Sequence, residues 1–186
     1  MAKLWKKGRG KLGFLDPLLG DWETETTSDN GPVKCLRRFD PVLHENYVRL
    51  TAYWTIGKPP KRGEKPDEKR DEKDDDKDRK KAGYTYKEIA LIGAGGEKNV
   101  RFWSFTSDGK HTHGIEADVS DLHPEAVGFE ATVMGQKARQ AYWPKENGEM
   151  VWVVEARTRK GWNRFVEHWY TRVPPETVPP DAVKAG

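Results

Sequence analysis

A series of glycine turns set between strand-like runs constrains this fold more than any other feature of the sequence. The turns are Asp29-Asn30-Gly31, Gly95-Gly96, Asp108-Gly109, Asn147-Gly148 and Lys160-Gly161. Asn-Gly and Asp-Gly favour tight hairpins, because both central residues of a type I′ turn need positive φ. The runs between the turns are rich in Val, Ile, Thr, Phe, Tyr and Trp, the residues that suit a pleated surface. They predict strands at Asp21–Ser28, Lys34–Asp40, Glu45–Ile56, Tyr84–Ile92, Asn99–Thr106, Lys110–Val119, Ala126–Met134, Lys137–Trp143, Glu149–Arg157 and Trp162–Val173. No helical period follows Leu19. Ten strands joined almost entirely by short turns form a meander, and an open meander of that length exposes two long edges. The expected fold is therefore all-β: a closed antiparallel up-and-down barrel of about ten strands.

The barrel is expected over residues 12–173. Before it, residues 1–11 carry five Lys and Arg and read as a flexible basic arm. Leu12–Leu19 is short and apolar. Asp16-Pro17 suits the cap and first position of a single helical turn, and Gly20 suits its stop. Within the barrel, residues 58–82 hold 11 Lys or Arg, 9 Asp or Glu and three prolines, with no aliphatic residue except the terminal alanine. Such a stretch cannot bury apolar surface, so a disordered charged insertion is expected there. Residues 174–186 read as a Pro-rich flexible tail.

A net charge of +3 gives no field for nucleic acid. The single cysteine, Cys35, excludes an internal disulfide and suits a reducing compartment. No apolar run approaches the length of a membrane helix. A cytoplasmic protein with neither a nucleic-acid nor a membrane partner is the expectation. The eight tryptophans supply a core or a lined pocket.

Alternation assigns some faces. Val48, Leu50, Ala52 and Trp54 should point inward on the third strand, and so should Val127, Phe129, Ala131 and Val133 on the seventh. The ninth should turn Met150, Trp152, Val154 and Ala156 inward, and the sixth His111, His113, Ile115, Ala117 and Val119. Both faces of the fourth, fifth and last strands carry aromatics and leave the choice open. A barrel of this size has more interior than side chains easily fill, so a cavity is expected.

The segment Leu15-Asp16-Pro17-Leu18-Leu19-Gly20-Asp21-Trp22 couples a short apolar helix to Gly-x-Trp. The chain ends its last strand on His168-Trp169-Tyr170-Thr171-Arg172. Together these resemble the calycin superfamily, which contains the lipocalins, the fatty-acid-binding proteins and the haem-binding nitrobindins. The nearest likeness is to a bacterial lipocalin-like family of unknown function. The resemblance implies structural roles for Gly20, Trp22 and Arg172, with Trp22 plugging one end and Arg172 lying over it. In fatty-acid-binding proteins the last strand sets an Arg-x-Tyr pair on a ligand carboxylate, and here the corresponding pair is His168-x-Tyr170. The nitrobindin likeness raises haem as a cofactor, although its histidine position falls nearer Phe165 than His168.

Chemistry beyond binding finds little support. Gly-x-Ser-x-Gly, a Cys–His signature and a phosphate-cradling glycine loop before a helix are all missing from the sequence. His111-x-His113 is half of a metal site and needs a third ligand, for which His168 or Glu155 would have to serve. No metal site is expected. The sequence thus points away from an enzyme and toward a barrel holding a small apolar or amphipathic molecule. Trp54, Trp103, His111, His113, Trp152, His168 and Tyr170 are its candidate ligand contacts. The alternatives are a haem barrel and a filled barrel that acts through protein contacts.

Overall fold

The structure is a computed structural model that describes residues 4–28, 31–57, 84–94 and 99–175. Among the described residues, ten strands follow one 3-10 helix, Gly13–Leu18. They are β1 (Gly20–Ser28), β2 (Gly31–Val42), β3 (Tyr47–Ile56), β4 (Tyr84–Gly93), β5 (Arg101–Thr106), β6 (His111–Ala117), β7 (Val127–Val133), β8 (Gln136–Pro144), β9 (Met150–Thr158) and β10 (Gly161–Val173). Each pairs antiparallel with its neighbours in sequence, and β10 returns to β1 to close the barrel. All ten strands read from the turn pattern are present, with ends shifted by a few residues. The charged stretch 58–82 and the tail beyond Pro175 lie outside the described residues. No helix among the described residues is long and apolar enough to cross a membrane.

Closure is narrow. β1 meets β10 through Asp21↔Val173, Trp22↔Arg172 and Glu23↔Thr171 only. Beyond Glu23, β1 continues to Ser28 paired with β2, while the rest of β10 pairs with β9. The wall therefore splays along the seam between β1 and β10.

The 3-10 helix plugs one end. Leu15 and Leu18 are fully buried in the main core, together with Trp22, Phe39, Leu50, Ile92, Phe129 and Met150. Trp22 is 2% exposed, and its Nε1 donates to the Leu18 carbonyl at 2.7 Å. Asp16 and Pro17 stand inside the helix near its end, not at its start. The helix begins instead at Gly13, and its bonds run from Leu15 N–H to Leu12 and from Leu19 N–H to Asp16. These bonds do not call on the N–H that Pro17 lacks.

One expectation needs correction, at the sixth strand, and the basic arm expected over residues 1–11 touches the barrel at Leu4 and Trp5. The Leu4 and Trp5 N–H groups donate to Glu125 at 3.1 and 2.9 Å, and Trp5 packs against the core. The sixth strand is turned the other way. His111, His113 and Ile115 are exposed, whereas Gly114 is buried. A Cβ on Gly114 would collide with Phe102 and the Glu130 carbonyl. Phe102 and Phe129 fill that level of the interior as a T-shaped pair, 5.4 Å between centroids. Glycine must face them, so the larger neighbours face out.

Part of the outer wall is covered too. Val119, Ala141, Val151 and Val153 form a second buried cluster with Leu122, Ala126 and Trp143. Arg139 holds the segment over it through a two-point contact with Asp121 at 2.9 and 2.8 Å, and also donates to Glu155 at 2.8 Å. Arg164 reaches Glu155 from β10 at 3.0 Å.

Candidate functional site

Away from the plug, the inner faces of the strands line a solvent-open cavity of about 270 Å³. Its walls carry Trp54, Phe102, Phe129, Ala131, Trp152 and Val154, with Glu88, Ser104, Thr112 and Gln140 as polar points. The Glu88 carboxylate is engaged by the Ser104 hydroxyl at 2.7 Å, and Gln140 Oε1 accepts from Tyr142 at 3.2 Å.

Against two of these indoles lies a charged group that the sequence reading did not single out. Arg37, on β2, is fully buried. Its guanidinium carbon is 3.7 Å from the Trp152 ring centroid, 5.4 Å from Trp54, 5.2 Å from Tyr170 and 5.8 Å from Tyr142. Nη1 donates to the Tyr142 hydroxyl at 2.9 Å. Nε and Nη2 have no well-aligned hydrogen-bond partner, nor do the buried His168 Nδ1 and Tyr170 Oη, and the Cys35 thiol lies within side-chain hydrogen-bonding reach of both Arg37 and Tyr170. Among the described residues these four buried side-chain atoms are the ones so placed, and all belong to one cluster. His168 stacks on Trp152 at 5.9 Å and meets Tyr170 edge-on at 6.5 Å.

The magnitudes separate this cluster from ordinary packing. A desolvated cation–π contact contributes about 2 kcal/mol. Burying an ion costs several kcal/mol after relaxation, and each unsatisfied buried donor about 1–3 kcal/mol more. The rings do not offset that cost. Neighbouring charge offsets it only in part, through the Glu88 carboxylate, which is itself held by Ser104. Burial pushes the Tyr142 hydroxyl up to about 12, although the nearby Arg37 charge opposes the rise. Burial likewise holds Tyr170 well above the ordinary phenol value and raises the Cys35 thiol, so none of the three supplies an anion at neutral pH. His168 is shifted down, first by burial and then by the Arg37 charge, which keeps it neutral. The guanidinium itself keeps its proton.

The structure divides the candidate contacts. Trp54, Trp152, His168 and Tyr170 come together around Arg37. Trp103, His111 and His113 do not join them. Trp103 lies against Tyr47 at 6.4 Å, on the face opposite the buried Phe102 and Ser104, and is paired with His113 across β5 and β6. His111 is exposed beside Phe105. The inward orientation expected for both histidines is therefore wrong, for the packing reason given at Gly114. At the plugged end, Gly20 has φ +111°, and a Cβ there would meet Arg172 at 2.6 Å. Arg172 lies 4.3 Å over the Trp22 ring and donates to the Leu19 and Pro17 carbonyls at 2.6 and 3.1 Å.

Among the described residues a metal finds no fitting seat, and the interior cavity is small for haem. Among the described residues no group of three His, Cys, Asp or Glu side chains could hold a metal ion. His111 and His113 stand outside the wall from His168, and Glu155 is committed to two arginines. The interior cavity is smaller than the roughly 300–1,000 Å³ typical of drug-sized ligands, and a porphyrin is larger than most of those. A second cleft of about 540 Å³ opens at the β1–β10 seam beside His168. Its lips carry Glu23, Glu25, Glu149 and Glu167, each paired with a lysine or arginine.

Arg37 was missed because alternation was applied to strands that already carried aromatics or histidines. The signal was there: Val33, Cys35, Arg37 and Phe39 share one register and are all buried. An arginine in step with three apolar residues marks an inward charge. No protein-family model matches the chain, and no curated protein is similar to it.

Proposed function

We propose that this protein is a non-enzymatic carrier or sensor that binds a small amphipathic molecule inside its barrel, in the manner of calycin proteins. The observation that supports this reading most directly is the cavity of about 270 Å³, walled by apolar side chains from most strands of a barrel whose other end is plugged. Trp54 and Trp152 give it flat apolar faces. Gln140, Ser104 and Thr112 give it a few polar points, the usual composition of a small-molecule site.

Native mass spectrometry of the freshly purified full chain, followed by titration with the neutral fluorophore N-phenyl-1-naphthylamine, tests this. The expected result is one equivalent of fluorophore bound, with quenching of tryptophan emission. Ala131→Trp places an indole in the cavity and should abolish binding, whereas His111→Ala and His113→Ala on the outer wall should leave it unchanged. Binding that survives Ala131→Trp, or that depends on His111 or His113, would place the ligand elsewhere and end this reading.

A further inference from the structure

Along most of its length β10 is paired on one side only. Its residues from Gly161 to Tyr170 form a ladder with β9. On the other side only Thr171, Arg172 and Val173 meet β1. β1 turns away after Glu23 to follow β2, which opens the seam cleft of about 540 Å³. The Gly161–Tyr170 edge therefore has no ladder partner among the described residues. Such an edge is a template for a further strand, and proteins blunt it with lysine, proline or a bulge. β10 has a bulge, between Arg164 and Val166, but Phe165 and Trp169 stand 59% and 54% exposed around it.

That bulge fits the edge to a second copy of itself. Trp162, Arg164, Glu167 and Trp169 lie opposite Arg157, Glu155, Val153 and Val151 of β9, so all four share the outer face. Outer positions are even-numbered before the bulge and odd-numbered after it. Laid antiparallel on itself end to end, the edge sets Gly161 against Tyr170 of the second copy. Trp162 then meets Trp169 of the second copy, and Arg164 meets its Glu167, each pair on one face. A strand without the bulge would oppose outer to inner positions in that register. Two-fold symmetry repeats every pair, so two Arg–Glu contacts and two Trp–Trp contacts form at once. Within one chain Arg164 already donates to Glu167 at 2.7 Å, so signs alternate around the axis of the pair.

We propose that this protein self-associates through β10. The Gly161–Tyr170 edges of two copies pair antiparallel about a two-fold axis at Phe165 and Val166, and the two barrels share one continuous sheet. The partner is a second copy because the edge complements itself in charge and in facing over its whole unpaired length.

Sedimentation velocity of the full-length protein over a concentration series tests this, and a reversible monomer–dimer equilibrium is expected. Glu167→Arg sets like charges opposite each other twice and should weaken the dimer about tenfold or more, with an unchanged far-ultraviolet circular dichroism spectrum. Phe165→Cys brings two thiols near the axis and should give a disulfide-linked dimer on mild oxidation, whereas Thr132→Cys on the β7 wall should not. The native Cys35 is buried and takes no part. A mixture of Trp162→Cys and Trp169→Cys chains should cross-link to each other in preference to themselves, which reads the register directly. A protein that stays monomeric throughout the series would overturn the proposal. So would a dimer that Glu167→Arg leaves unweakened, or one that Thr132→Cys captures as readily as Phe165→Cys.

Discussion

Two arginines in this barrel each lie over a tryptophan, and they differ in everything else. Arg172 covers Trp22 at the plugged end, is itself exposed, and gives its Nη atoms to the Leu19 and Pro17 carbonyls. Arg37 covers Trp152 in the interior, is fully buried, and has one well-aligned protein hydrogen bond. The first is satisfied by backbone oxygens already fixed by the helix it clamps. The second retains a guanidinium edge, Nε and Nη2, without a well-aligned partner in a medium where an unmet charge is costly. The same residue pair therefore closes the fold in one place and leaves it chemically incomplete in the other. Polar satisfaction, rather than residue type or the cation–π contact, distinguishes the two.

That contrast is open to direct attack. The largest effect belongs to the plug. Trp22→Ala should cost roughly 3–5 kcal/mol through loss of a buried indole, lowering the melting temperature on the order of 10 °C. A melting curve within a degree or two of wild type would show that Trp22 does not hold the plug. Next comes the interior arginine, with the opposite sign. Arg37→Met in ligand-free protein should gain about 1–3 kcal/mol by urea denaturation, because an apolar chain of similar volume replaces an unpaired ion. A loss of stability would mean that Arg37 is a structural cation like Arg172, and the comparison would collapse. Arg172→Met should lose about 1 kcal/mol, the worth of an exposed cation–π contact and its hydrogen bonds.

The smallest effect is a titration. His168 has its folded-state pKa below its unfolded value because of burial and the Arg37 charge. The unfolded chain then binds the proton first. Stability is unaffected above the unfolded value of about 6.5, and declines as pH falls from there toward the folded value. Proton NMR of the His168 ring should give a midpoint below 6.5 in the wild type, moving upward in Arg37→Met as one of its two causes is removed. An unmoved midpoint would mean the two groups do not share an environment.

Much of the fold was legible from local chemistry. The turn dipeptides and β-rich runs located all ten strands, and period-two alternation oriented β3, β7 and β9, whose inner positions are apolar throughout. It failed on β6 because His111, His113 and Ile115 look more buriable than Thr112, Gly114 and Glu116. What decides that strand is the volume already taken by Phe102 and Phe129 from the strands on either side, which the local sequence does not encode. The candidate site divides in the same way. Trp54, Trp152, His168 and Tyr170 stand out by type and register, but nothing in their spacing shows that they surround Arg37.

By itself the sequence determined the all-β meander, its closure and the Gly20–Trp22 entry, because backbone preferences and side-chain period act over a few residues. Only the tertiary structure decided that the β1–β10 seam is paired over just three residue pairs, that His111 and His113 face outward, and that Arg37 is left with a guanidinium edge that no well-aligned partner meets. These depend on which groups from distant strands reach the same point in space. Whether a buried charge is met or unmet is a property of that point, not of the residue that carries it.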